Sequence, residues 1–185
     1  MKKFTFTLLA LCFVAALAQA QKVSVYPTPD RVSGEVIEAR KSPMANAHLK
    51  TEDNYLKIVY SQPHLRGRSM LGGKNAYGKV WRLGANEATE IYAAKEFMIG
   101  DQKIPAGIYS LFAIPESDSW TLIVSKQVGQ WGAYGYDESM DQARIQTKVG
   151  TADKSYEAFS IWFSPEGDGL NLAWGTAWVK FPLKA

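Results

Sequence analysis

Gly107-Ile108-Tyr109-Ser110-Leu111-Phe112-Ala113-Ile114, then Pro115-Glu116-Ser117-Asp118, then Trp120-Thr121-Leu122-Ile123-Val124, is the stretch that decides the fold. The four residues in the middle are turn chemistry, and the apolar runs on either side have strand length, so the stretch reads as two successive antiparallel strands. Immediately upstream the pattern repeats. Ile91-Tyr92-Ala93 and Phe97-Met98-Ile99 are set off from the first run by Gly100-Asp101 and Pro105-Ala106-Gly107.

Working outward, the tail shows the same rhythm. Phe159, Ile161 and Phe163 alternate with Ala158, Ser160 and Trp162. Leu170, Leu172 and Trp174 follow the Gly167-Asp168-Gly169 turn, and Ala177, Val179, Phe181 and Leu183 close the chain, all with the period of two that a half-buried strand requires. Toward the N-terminus, Val36-Ile37 and Tyr55-Leu56-Lys57-Ile58-Val59-Tyr60 are further strand-like runs, the second with an imperfect alternation that leaves its inward face open. About eight to ten short strands at this spacing predict an all-β fold, an antiparallel β-sandwich or partly open barrel, with at most one short helix. The best helical stretch is Asp137 to Arg144, with acids at its start and an arginine at its end.

The first twenty residues have a different character. Met1-Lys2-Lys3 is basic, Phe4 to Leu17 is apolar, and Ala18-Gln19-Ala20 is the small-x-small order of a cleavage site, so residues 1–20 read as a secretory signal peptide cut after Ala20. Residues 21–33, with Pro27 and Pro29, read as a spacer, and 34–185 as a single β-sandwich domain. The 21 Lys+Arg less Lys2 and Lys3 leave 19 against 18 Asp+Glu, and Cys12, the only cysteine, departs with the signal. A nearly neutral mature chain offers no general attraction to nucleic acid or anionic membrane. Without cysteine, packing alone must stabilise the exported domain.

Between Ser61 and Thr89 the period of two stops. The chain there contains His64-Leu65-Arg66-Gly67-Arg68 and Tyr77-Gly78-Lys79-Val80-Trp81-Arg82-Leu83-Gly84-Ala85-Asn86-Glu87-Ala88-Thr89. A connection this long in a compact domain is usually functional or disordered, and Leu71, Tyr77, Val80, Trp81 and Leu83 give this one something to bury, which disfavours disorder. Arg66, Arg68 and Arg82 bring forked cations that match carboxylate or phosphate, with Asn86 and Glu87 beside them. Glu87 neutralises Arg82 in an internal ion pair, or one or more arginines face a cleft and hold an anionic or polyhydroxylated ligand, and the two readings are compatible. A second cluster, Gln127 to Asp137, interleaves Trp131, Tyr134 and Tyr136 with glycines and amides. It reads as an aromatic platform for a ring or as a lid over the core.

These two clusters, with Tyr60-Ser61-Gln62-Pro63, Arg66-Gly67-Arg68 and Ala106-Gly107-Ile108-Tyr109-Ser110-Leu111-Phe112-Ala113-Ile114-Pro115, resemble the domain of unknown function 2911 family of exported bacterial proteins. Gln130-Trp131-Gly132-Ala133-Tyr134 is a further matching piece, and the long run through Trp81 and Glu87 is highly specific. The resemblance implies an envelope or secreted location in a Bacteroidetes-type bacterium and brings no established activity. Where the family has Arg after the Tyr-Ser pair, this chain has Gln62.

Metal chemistry has little to work with, because His48 and His64 are distant in sequence and no zinc or calcium ligand spacing is present. No cofactor is expected, and no nucleophile elbow, phosphate loop or dinucleotide fingerprint occurs. The leading expectation is a periplasmic or secreted, non-enzymatic domain that binds a small polar, anionic or glycan ligand, or a protein partner. Arg66, Arg68, Arg82, Asn86 and Glu87 would supply polar contacts and Trp81, Trp131 and Tyr134 an apolar wall. One alternative is a hydrolase in which Glu87 acts with His64 or Tyr109, or is paired with Asp137. The other is a structural envelope protein. No nucleic-acid partner and no stable membrane insertion after signal cleavage are expected. A ligand site requires Arg66, Arg82, Asn86 and Glu87 to converge on one open cavity.

Overall fold

The computed structural model describes residues 40–185. The expected signal peptide at 1–20, the spacer at 21–33 and the Val36-Ile37 run lie outside the described residues. Ten strands follow in chain order: β1 Met44–Lys50, β2 Tyr55–Ser61, β3 Ala85–Ala93, β4 Phe97–Ile99, β5 Gln102–Ile104, β6 Gly107–Pro115, β7 Ser119–Ser125, β8 Asp141–Lys148, β9 Gly150–Phe163 and β10 Gly169–Lys184. They form a six-stranded sheet in the order β1-β2-β3-β6-β7-β8 and a four-stranded sheet in the order β5-β4-β10-β9. Every pairing is antiparallel, and the two sheets do not close into a barrel.

The deciding stretch behaves as its pattern demands. Leu111 pairs with Val124, Phe112 with Ile123 and Ala113 with Leu122. Tyr109, Leu111, Ala113, Leu122 and Val124 turn into one cluster with Phe159, Leu172, Trp174 and Phe181 of the other sheet. Phe112 and Ile123 point the opposite way, into a second cluster with Ala88. Strands β6 and β7 are therefore buried on both faces, which is why their sequences run apolar almost without a break. Between the sheets the Tyr60 hydroxyl accepts the Ile161 N–H at 3.1 Å. Burial pushes the Tyr60 phenol pKa up, against the smaller pull of that N–H and of Gln62.

Two local expectations are corrected, and one strand joins those the pattern announced. Asp137 to Arg144 holds only a 3-10 turn at Glu138–Met140, with Asp137 accepting the Ser139 N–H at 2.9 Å. From Asp141 the chain becomes β8, because Ala143 and Ile145 alternate into the core while the strand pairs with β7 along its whole length. Cross-strand pairing outweighs a two-turn helix with weak ends. The tail is two long strands, since β10 runs through Gly175, which takes φ 59 at a bulge instead of ending the strand. Lastly, β1 carries only a modest apolar alternation, Ala45, Ala47 and Leu49, and takes its structure from pairing with β2 along seven residues.

Candidate functional site

The segment between β2 and β3 enters the six-stranded sheet before β3 begins. Trp81 exchanges backbone hydrogen bonds with Ala113 at 2.7 and 2.8 Å, and so occupies the place beside β6 that β3 vacates beyond Thr89 and Leu111. The first residues of β3 turn to another partner. Ala88 N–H donates to the Gln130 carbonyl at 2.9 Å, and Glu87 bridges Trp131. This detour passes through two left-handed non-glycine residues, Leu83 at φ 53 and Asn86 at φ 56. Such conformations cost about 1–3 kcal/mol each and persist only where the surroundings enforce them.

The surroundings here do so. Leu83 is fully buried, Trp81 Nε1 donates to the Gly84 carbonyl at 3.0 Å, and Thr89 Oγ1 donates to the Leu83 carbonyl at 2.6 Å. A side chain on Gly84 would meet the Ser61 carbonyl oxygen at 2.9 Å. The Trp81 indole stacks on Trp174 at 5.4 Å and meets Trp120 and Phe159 edge-on at 5.9 and 4.9 Å. Burying an aromatic of this size removes roughly 200 Å² from water, about 5 kcal/mol at 25 cal/mol per Å². Trp81 is thus foremost a core residue, and only secondarily a wall of any site.

What the detour presents outward is a polar chain. Arg82 Nη1 donates to the Asn86 carbonyl at 3.2 Å, Asn86 Nδ2 to Ser61 Oγ at 3.4 Å, and Ser61 Oγ to Glu87 Oε2 at 3.3 Å. The expected Arg82–Glu87 ion pair does not form. Left-handed Asn86, at the start of β3, lies in the chain between the two, and Glu87 instead receives Arg40 Nη1 on both oxygens, at 2.9 and 2.8 Å. The Glu87 side chain keeps 44% of its exposure and that of Arg40 31%, so the pair is worth about 0–1 kcal/mol.

The four residues required to converge are shared out. Arg82, Asn86 and Glu87 line three neighbouring depressions that have the Gly129–Tyr134 loop as a common wall. Glu87 lies in one of about 250 Å³ with Glu90 and Gln130, and Asn86 in one of about 350 Å³ with Arg40 and Trp131. Arg82 lines a cleft of about 340 Å³ with Lys74, Asn75, Lys79, Val80 and Tyr134. Arg66 stands apart on the exposed turn, at φ 51, with its N–H on Glu157 Oε1 at 2.6 Å and its guanidinium on the Lys41 carbonyl. Arg68 folds back onto the carbonyls of Leu65 and His64 at 2.9 and 3.0 Å.

The residues named for acid–base chemistry are likewise dispersed. His64 bridges Ala158 of β9. Tyr109 lies in the core with its hydroxyl on the Pro105 carbonyl at 3.1 Å, and burial raises its pKa. Asp137 caps the 3-10 turn, where hydrogen bonds to Ser139 lower its pKa. None of the three lines the depression that Glu87 faces.

Of the three, the Arg82 cleft carries the largest set of unpaired charges. It brings together Lys74, Lys79 and Arg82 with no acid in its lining, and none of these cations has an ion-pair partner among the described residues. Arg82 spends one donor on Asn86, leaving most of its fork available. Tyr134, 86% exposed, stands at the rim. Gly132 makes this closeness possible, with φ 77 and a position where a Cβ would lie 2.9 Å from both Arg82 Nη1 and the Tyr134 ring. Asn75 Nδ2 is buried beside the cleft with no acceptor among the described residues. Lys74, Asn75 and Arg40 escaped the sequence reading. The first two sit in the Gly-rich turn after Leu71, where only their shared loop with Arg82 hinted at a role.

Residues 42–183 match the family model described as "Protein of unknown function (DUF2911)". No curated protein and no solved structure matches the chain.

Proposed function

Starting from a chain that belongs to the DUF2911 family, we propose that this protein is an exported, non-enzymatic binding domain that takes a small anionic, ring-bearing ligand in the Arg82 cleft. The observation that carries the reading is the cleft's one-sided charge. Lys74, Lys79 and Arg82 line it without an acid, beside the exposed ring of Tyr134. Its volume of about 340 Å³ suits a small ligand. An arginine with free donors holds a carboxylate, phosphate or sulfate by two parallel bonds, and the tyrosine face packs against the attached ring.

A hydrolytic reading gains less support. Glu87 is accessible, but it is paired to Arg40, and His64, Tyr109 and Asp137 face elsewhere. The test is calorimetric titration of the mature chain with digalacturonate, a dianionic disaccharide, against maltose as its neutral counterpart. Loss of charge-assisted hydrogen bonds worth about 1.5–3 kcal/mol predicts that Arg82→Ala weakens digalacturonate binding roughly tenfold to a hundredfold while the protein stays folded. A folded Arg82→Ala protein that binds digalacturonate as tightly as wild type would refute the assignment.

A further inference from the structure

The outer face of the four-stranded sheet holds a second cleft, built by irregular pairing. Ser160 pairs with Ala173, Tyr156 with Gly175 and Thr151 with Ala177, so β9 spends nine residues where β10 spends four. Two bulges absorb the excess and lift the segment around Asp153 out of the ladder. Bulges of this kind re-aim side chains and concentrate beside functional sites. Here they wall a cleft of about 380 Å³ whose floor is the sheet itself.

Three aromatic side chains line it. Phe159 and Ile161 on β9, and Val179 and Phe181 on β10, face the core, so Trp162 and Trp178 face the other way. Trp162 and Tyr156 lie parallel, 5.6 Å apart with 8° between their planes. Trp178 is fixed at both ends. Its Nε1 donates to Asn171 Oδ1 at 3.2 Å, Asn171 Nδ2 donates to Ser164 Oγ at 3.0 Å, and a Cβ on Gly150 would meet the indole at 2.9 Å. The rings are thus oriented before any ligand arrives, which lowers the entropy lost on binding.

The polar groups select the ligand's charge. Lys154 is engaged over the Tyr156 ring, 5.2 Å from its centroid. Asp153, exposed on the bulge, has no ion-pair partner among the described residues and is the one charged side chain in the lining. A lone carboxylate repels anions and accepts hydrogen bonds from hydroxyls, and the C–H face of a sugar ring packs on aromatic faces. We infer that this cleft binds a neutral pyranose ring of a glycan, stacked on Trp162 and Trp178 with hydroxyls donated to Asp153. The site lies on the opposite sheet from the Arg82 cleft and does not depend on that assignment.

Calorimetric titration of the mature chain with maltotetraose, cellotetraose and chitotetraose tests it. At least one should bind saturably, and Trp162→Ala and Trp178→Ala should each weaken that binding about tenfold or more. Asp153→Asn, a change at an exposed position that leaves the fold intact, should weaken it about threefold to tenfold. Arg82→Ala should leave it unchanged. The inference is overturned if none of the three binds at up to about 10 mM, if Asp153→Asn and Trp178→Ala bind like wild type, or if Arg82→Ala abolishes the signal. It is equally overturned if sedimentation shows a dimer that Trp162→Ala and Trp178→Ala each convert to monomer, since a second copy of the chain would then cover the cleft.

Discussion

The two faces of the six-stranded sheet are made from the same strands and are built on different terms. On the inner face all ten strands contribute to one continuous cluster, in which Trp81, Trp120, Phe159 and Trp174 contact one another. On the outer face the buried set is Ala88, Phe112 and Ile123, with Val80, Ile114, Ala133 and Tyr136 half-buried around it. The inner face is closed by a second sheet. The outer face is closed by the loop from Lys126 to Asp137, held by Gly129 N–H on Glu90 Oε1 at 2.7 Å, Ala88 N–H on the Gln130 carbonyl, and the contacts of Tyr136. A thin, locally held cover is where binding surfaces are placed, because it adjusts without opening the core.

The largest expected effect tests the inner side. Trp81→Ala should cost about 3–5 kcal/mol in urea unfolding, as large-to-small aromatic substitutions in a packed core do. Because Trp81 also anchors the detour between β6 and β3, the variant should lose the Arg82 cleft with its stability. A loss below about 1 kcal/mol would mean that the stacked tryptophans do not share one core.

A smaller effect tests the outer side. In Gly132→Ala the new methyl group meets Arg82 Nη1 and the Tyr134 ring, and the residue keeps φ 77 at a cost. Stability should fall by about 1–2 kcal/mol, while digalacturonate affinity should fall about tenfold as the guanidinium is displaced. The near-ultraviolet signal of the buried tryptophans should not change. If it changes together with the affinity, the two faces are coupled and the comparison fails.

This difference between the faces also governed what could be read from sequence. The inner face follows strand alternation, so Tyr109, Leu111 and Ala113 and the tail residues from Phe159 to Leu183 were legible, and with them the two-sheet fold. The break at Trp81 to Thr89 was legible too, since a detour through left-handed Leu83 and Asn86 leaves no period of two. Its partners were not. Arg40 is 47 residues from Glu87 in sequence, and only the fold brings it closer than Arg82. For the same reason Arg66 and Arg68 looked equivalent to Arg82, although neither lines the cleft that Arg82 faces. The aromatic cleft on the other sheet left two traces, an outward Trp162 in a strand whose other outward neighbours are Ala158 and Ser160, and Trp178 out of phase with Val179 and Phe181. The bulges that complete it depend on register, which residue types alone do not specify.

The smallest expected effect concerns how the loop is fastened. Tyr136 meets Phe112 edge-on at 5.1 Å, donates its hydroxyl proton to Asp141 Oδ2 at 2.6 Å, and accepts from Arg144 Nη2 at 2.6 Å. Burial, and then the hydrogen bond to the Asp141 carboxylate, raise its pKa from 10.0 to about 12. Below pH 10 the phenol is neutral in the folded and unfolded chains alike, and its contribution to stability is fully present. Between pH 10 and about 12 the unfolded phenol ionises first, so unfolding releases a proton and stability declines as pH rises. Tyr136→Phe keeps the ring on Phe112 and leaves Asp141 with Arg144 at 2.7 Å, so at pH 7 it should cost only about 1 kcal/mol or less. Urea unfolding of both proteins at pH 8, 10 and 11 checks this. The gap between them should narrow as the pH passes 10, because only the wild type loses this contribution. A gap that stays constant would show that the Tyr136 hydroxyl does not fasten the loop, and that the apolar contact with Phe112 holds the cover by itself.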